Sequence, residues 1–122
     1  MNARARALAL LGVGAILGAA IWLFSPWLTG RAEPWDADFP LWGLSWLLIG
    51  VAGGLVGRLR GLCLPVGYAL GQMLLTIQSL FTGPFGALGW MFIAGYAGVS
   101  VSLAGAIIGV FALRRRFQRP RG

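Results

Sequence analysis

The chain contains no lysine and no histidine, a single cysteine and only three carboxylates in 122 residues. Each shortage excludes something. Without histidine, and with Glu33, Asp36 and Asp38 confined to residues 29–40, the sequence offers neither a metal-ligand cluster nor a base for familiar hydrolytic chemistry. The lone Cys63 cannot close an intramolecular disulfide and reads as a reduced filler. No charged residue interrupts the long apolar runs, whereas intramembrane proton relays and ion-coupled carriers rely on such groups despite their cost. No enzyme, no cofactor and no metal is expected.

What is present is apolar. Hydrophobic residues make up 58% of the chain, charged residues 11%, and the mean hydropathy is +0.80. A soluble domain would carry roughly 25% charged residues, so the bilayer is the expected solvent and first partner. All ten basic residues are arginines, giving a net charge of +7. They flank the apolar runs, as topology determinants do, and this placement argues against nucleic acid as a partner.

Four apolar stretches follow one another: about 7–28, 41–57, 64–82 and 87–113. The expected fold is all-α, one polytopic domain over 1–122, with four transmembrane helices arranged as two consecutive hairpins in a glycine-packed bundle. The first stretch follows Arg4 and Arg6 and resembles a signal peptide, with Gly18–Ala20 as the small-residue cleavage site. Its length, and the continuation through Trp22 and Phe24, favour a retained span that Pro26 ends or bends. The fourth run would reach about 40 Å as a helix, more than a hydrocarbon core of about 30 Å. It must tilt, protrude or loosen around Gly95–Gly98. Arginines alternate across the connections: Arg4 and Arg6, then Arg31 against three acids, then Arg58 and Arg60, none at 83–86, and finally the basic tail 114–122. The positive-inside rule then places both termini in the cytoplasm of a bacterial inner membrane. Trp27, Trp35, Trp42, Trp90, Phe39 and Phe85 gather at the outer interface, where amphipathic rings sit well.

Glycine sets the packing. In Leu41–Gly61, Gly43, Gly50, Gly54, Gly57 and Gly61 fall within about 60° of one helix face. On the fourth helix Gly98, Ser102, Gly105 and Gly109 do the same. Small residues let backbones approach closely in lipid, so these two faces are expected to pack on each other or to receive a partner protein or second copy. Ala7, Gly14, Gly18 and Ser25 form a lesser stripe on the first helix. A weak repeat accompanies them. Val13-Gly14-x-x-Leu17-Gly18 matches Val66-Gly67-x-x-Leu70-Gly71, and Thr29-Gly30 matches Thr82-Gly83. With a two-residue shift, Gly43, Ser45, Leu48, Gly50 and Gly54 match Gly98, Ser100, Leu103, Gly105 and Gly109.

Polarity concentrates on the third helix. Tyr68, Gln72, Thr76, Ser79 and Thr82 lie within about 120°, a stripe for interhelical hydrogen bonds or for lining a solute pathway. The acids of residues 33–38 read as a solvated loop. Arg114, Arg115, Arg116 and Arg119 are candidates for lipid head groups, at about 1 kcal/mol each near an anionic surface.

Gly53–Arg60, GGLVGRLR, resembles a glycine-pair-and-arginine motif of bacterial fluoride channels, but the membrane-embedded asparagine of that family is missing and Asn2 is the only Asn. A proton-driven exporter of the small multidrug type is excluded by the absence of an embedded acid. Across its length the chain resembles uncharacterised small four-span bacterial inner-membrane proteins, through Pro34-Trp35-Asp36-Ala37-Asp38, Leu70-Gly71-Gln72 and Gly83-Pro84-Phe85-Gly86. That resemblance implies no activity. The expected function is non-catalytic, through helix–helix contacts, as an accessory subunit or self-associating bundle. The alternative is a small oligomeric channel or facilitator for an uncharged or simple ionic solute, lined by the polar stripe. Reporter fusions at residue 35 and at the C-terminus are predicted to report opposite sides of the membrane; signals from the same side would refute the four-span topology.

Overall fold

A computed structural model describes residues 2–25, 27, 41–82 and 86–120. These residues form α1 (Ala3–Leu23), α2 (Leu41–Leu55), a 3-10 turn (Leu59–Leu62), α3 (Cys63–Leu75), α4 (Ile77–Thr82) and α5 (Gly86–Gln118), with no strand among them. The fold is all-α. Helices α1 and α5 are each long and apolar enough to cross a membrane, while Leu41–Leu55 and Leu59–Leu75 are shorter apolar helices.

The ends of these elements have local causes. The Asn2 side chain caps α1, accepting from the Ala5 N–H at 2.8 Å. Helix α1 stops at Leu23, three residues before Pro26. Helix α2 unwinds through Val56 into Gly57, whose φ of +72° is the left-handed conformation that glycine adopts without strain. The third stretch is not the continuous helix expected over 64–82. Thr76 breaks it, with φ −102° and ψ 10°, and its hydroxyl donates to the Gln72 carbonyl at 2.8 Å. Such back-bonding bends helices, because the hydroxyl competes for a carbonyl of the ladder. Helix α5 does the opposite. It runs unbroken through Gly95–Gly98 and on to Gln118, past the expected boundary at 113, for about 50 Å at 1.5 Å per residue.

Helix α1 packs on α3, α2 packs on α5, and α3 also touches α2 and α5. The closest approach lies between α1 and α3. A Cβ built on Gly14 would collide with the Leu64 carbonyl, and one on Gly18 with the Tyr68 carbonyl. In return, Gly67 is pressed against the Leu11 carbonyl and Gly71 against that of Ala15. The contact is reciprocal. Leu11 and Leu64, Gly14 and Gly67, Ala15 and Tyr68, and Gly18 and Gly71 are each 53 positions apart, so the two helices are parallel and related by a local two-fold pseudo-symmetry. The repeated VGxxLG motif pairs with itself.

The second interface is also parallel, but lopsided. Gly50 lies under the Ser100 carbonyl at 2.8 Å from its Cβ position, Gly54 under the Ile107 side chain, and Gly43 beside the Tyr96 ring at 3.7 Å. On α5 the first of the two expectations, packing against the glycine face of α2, is not met. Gly98, Gly105 and Gly109 meet nothing within 4 Å, and Ser102 is exposed. Ile93, Ser100, Ala104 and Ile108 of α5 are buried in the bundle, and the two glycine faces do not meet each other. Gly53 and Gly61 supply a further tight contact that closes the α2–α3 turn.

Substituting Val at Gly67 or Gly71 is therefore expected to destabilise the fold at or above the upper end of the roughly 1–3 kcal/mol typical of overpacking, since backbone and not a movable side chain blocks the new atoms. Ala at Gly98 or Gly105 should leave the stability of the isolated chain unchanged. Thermal unfolding in detergent distinguishes the two sets, and equal effects would contradict this packing.

Candidate functional site

Helix α3 lies against all three other long helices and carries the polar side chains that tie them together. One turn apart on one face, Tyr68, Gln72 and Thr76 are buried, Gln72 completely. The Gln72 side-chain oxygen accepts two indole N–H groups, from Trp22 on α1 at 2.9 Å and from Trp42 on α2 at 2.7 Å. Indoles only donate, so the amide orientation is fixed: Oε1 faces the tryptophans and Nε2 points away. Thr76 Oγ1 accepts from the Trp90 indole of α5 at 3.2 Å. The Tyr68 hydroxyl donates to Ser45 Oγ at 2.6 Å, and Ser45 donates to the Trp42 carbonyl at 2.6 Å. Three consecutive turns of α3 thus reach α1, α2 and α5.

The glycine contacts place these groups. Gly18 sits 3.3 Å, measured from its Cβ position, from Gln72 Cγ, which brings Trp22, one turn further along α1, over the carboxamide. Around the hydrogen bonds the aromatic rings interlock. Trp46 meets Tyr68 edge to face at 4.6 Å between centroids, Trp42 meets Trp46 at 6.2 Å, and Tyr96 of α5 lies 4.6 Å from Trp42. Ser100 of α5 closes the far side by donating to the Trp46 carbonyl at 2.7 Å. Gln72 Nε2 and Trp46 Nε1 are buried with no acceptor among the described residues.

Of the expected polar stripe, Tyr68, Gln72 and Thr76 come together. Ser79 and Thr82 fall on α4, and their side chains lie outside the described residues. Trp42 and Trp90, expected at the outer interface, are core partners of Gln72 and Thr76; both indoles are turned inward by a hydrogen bond that lies within reach. Trp27 is exposed. Trp35, Phe39, Phe85 and the acids Glu33, Asp36 and Asp38 are outside the described residues. Among the described residues no three metal-binding side chains come together. Ala20, Ile21, Phe24, Trp27 and Leu41 line an apolar cleft at the tryptophan end, with no group there able to do chemistry.

Gly57 and Arg115 were joined by no sequence pattern. Arg115 reaches back from α5 and donates from Nη2 to the Gly57 carbonyl at 2.7 Å. A cation on the last carbonyls of α2 complements the helix dipole, but a single arginine within a basic run gives no sign of which carbonyl it serves.

No family model, curated protein or solved structure matches the chain.

The bond pattern yields a graded prediction. Gln72→Leu removes the acceptor shared by the Trp22 and Trp42 indoles and is expected to cost more than Tyr68→Phe, which leaves Ser45 bonded to the Trp42 carbonyl. A buried donor left unsatisfied costs about 1–3 kcal/mol, against about 1 kcal/mol for one lost neutral hydrogen bond. Chemical denaturation in detergent, followed by tryptophan emission, reads both; similar losses would mean that Gln72 is not the shared acceptor.

Proposed function

We propose that the chain is a non-catalytic, four-span protein of the bacterial inner membrane, with both termini cytoplasmic, that acts through helix–helix contacts as an accessory or assembly subunit or as a self-associating bundle. The distribution of polarity supports the bilayer setting. Gln72, Ser100 and Ser25 are wholly buried, whereas Ile16, Leu48, Leu74, Phe81 and Met91 are largely exposed. Water would reverse that arrangement, since contiguous exposed apolar surface on soluble monomers is limited to a few hundred Å². Helix α2, about 22 Å long, needs local thinning or flanking residues to complete its span, and α5 exceeds the core at its arginine end.

One observation carries the functional reading. Gly12 apart, the glycines of α1, α2 and α3 lie against neighbouring helices or the turn, whereas Gly95, Gly98, Gly105 and Gly109 of α5 meet nothing within 4 Å. Gly98, Gly105 and Gly109, with Ser102, form an open groove on an otherwise side-chain-clad helix, the kind of surface a second transmembrane helix fits by backbone approach. The solute-pathway alternative draws no comparable support, because Tyr68, Gln72 and Thr76 are engaged in holding helices together.

Cross-linking tests this. In a Cys63→Ser background, Ser102→Cys is expected to give an oxidative adduct in native membranes, either with a second copy or with a specific partner. Adding Gly98→Leu and Gly105→Leu should abolish the adduct while the fold persists. No adduct to any protein, together with no energy transfer between donor- and acceptor-labelled copies in bilayers, would overturn the reading.

A further inference from the structure

Eight described arginines converge on one end of the bundle. Because α1 and α3 run parallel, α2 and α5 run parallel, and α2 and α3 are joined by a tight turn, that end collects Arg4 and Arg6 of α1 and Arg58 and Arg60 of the turn. It also collects Arg114, Arg115, Arg116 and Arg119 of α5. No carboxylate occurs among the described residues. Topology alone asks for an excess of positive charge near the end of a span. It does not ask that one guanidinium be fastened to the turn beside two others.

That fastening is what Arg115 does. Its Nη2 donates to the buried Gly57 carbonyl, and the absence of a Cβ on Gly57 admits it, since a Cβ there would stand 2.8 Å from the same nitrogen. A guanidinium has five N–H donors, and this contact uses one. The next residue along the turn is Arg58, which is exposed, followed by Arg60, which is half-buried. Two elements far apart in sequence thus present Arg58, Arg60 and Arg115 together, with no carboxylate among the described residues to meet them. Apolar side chains flank the turn arginines in the chain: Leu55 and Leu59 are 64% and 75% exposed. Charge complementarity calls for an anion, and the exposed leucines call for hydrocarbon attached to it.

We infer that the α2–α3 turn and the arginine end of α5 form a binding site for the phosphate of an anionic glycerophospholipid, with Arg58, Arg60 and Arg115 on the head group and Leu55 and Leu59 against the acyl chains. The α5 arginines alone are therefore not the recognition unit; the turn completes it. The site does not depend on self-association.

The test uses the full chain in mild detergent, with phosphatidylglycerol and phosphatidylcholine as probes, scored by native mass spectrometry and thermal shift. Phosphatidylglycerol is expected to be retained and to raise the melting temperature, and phosphatidylcholine is not. In R58Q/R60Q the retained phosphatidylglycerol should fall roughly 30-fold, about fivefold for each charge near the surface, and R114Q/R119Q should lose much less. Equal retention of both lipids by the wild type would overturn the site, a comparison that needs no variant to fold. So would equal losses in the two double variants, which would mean a diffuse basic field. Displacement of the lipid by excess inorganic phosphate would also overturn it, by showing that the acyl contacts contribute nothing.

Discussion

The bundle depends on two backbones being allowed to touch. Where α1 crosses α3, four glycines remove every side chain that would hold the helices apart, and each faces a carbonyl of the other helix. The attraction is small per contact, about 0.5–1 kcal/mol for a Cα–H···O approach. Its consequence is geometric. With the helices that close, the Trp22 indole reaches Gln72, and a polar network that would otherwise end at α2 extends to α1. Separate the backbones by the thickness of a methyl group and that 2.9 Å bond is lost.

The 53-residue relation between α1 and α3 is obeyed contact by contact, but its counterpart between α2 and α5 is not. Gly50 and Gly54 are covered by Ser100 and Ile107, whereas their repeat equivalents Gly105 and Gly109 are bare. An interface between identical halves would cover both faces or neither. The break coincides with a difference in length, since α2 ends at Leu55 after 15 residues and α5 continues for 33. The longer helix also took on a different task at its end, where Arg115 caps the shorter one. In this arrangement the corresponding glycine face of the second repeat is left uncovered by the described residues.

Much of this was legible. Apolar runs bounded by arginines mark the rods, the small-residue stripe Gly14–Gly18–Ser25 marks a buried face of α1, and the 3.6-residue spacing of Tyr68, Gln72 and Thr76 puts polarity on one side of α3. What could not be read is pairing. A glycine face says that something approaches, and its periodicity contains no information about which helix does so; Gly50 and Gly105 have the same local signature and opposite fates. Trp42 was misplaced for a related reason. A tryptophan near the end of an apolar run suits an interface, and only the carboxamide 30 positions away turns it into the core. The break at Thr76 depends on a hydroxyl choosing its own helix's carbonyl, a choice that propensity does not encode.

The polar node answers a problem that glycine leaves open. In hydrocarbon, one leucine-covered helix face is nearly as good as another, because lipid tails and side chains are equally apolar. Close backbone contact fixes how near two helices come, and a slide by one turn would put Trp22 in the place of Gly18 or Leu10 in that of Gly14, but these glycines leave the height of α2 against α1 open. Gln72 removes that freedom. Its oxygen must find Trp22 and Trp42 at once, from two helices that do not otherwise depend on each other, and a shift of about 5.4 Å along either axis breaks one of the bonds. Buried polar groups are best attested in this registering role. The glycines set the distance between α1 and α3, and the carboxamide sets the heights of α1 and α2 on α3 together, so the sterics of one helix pair alone would not place the third.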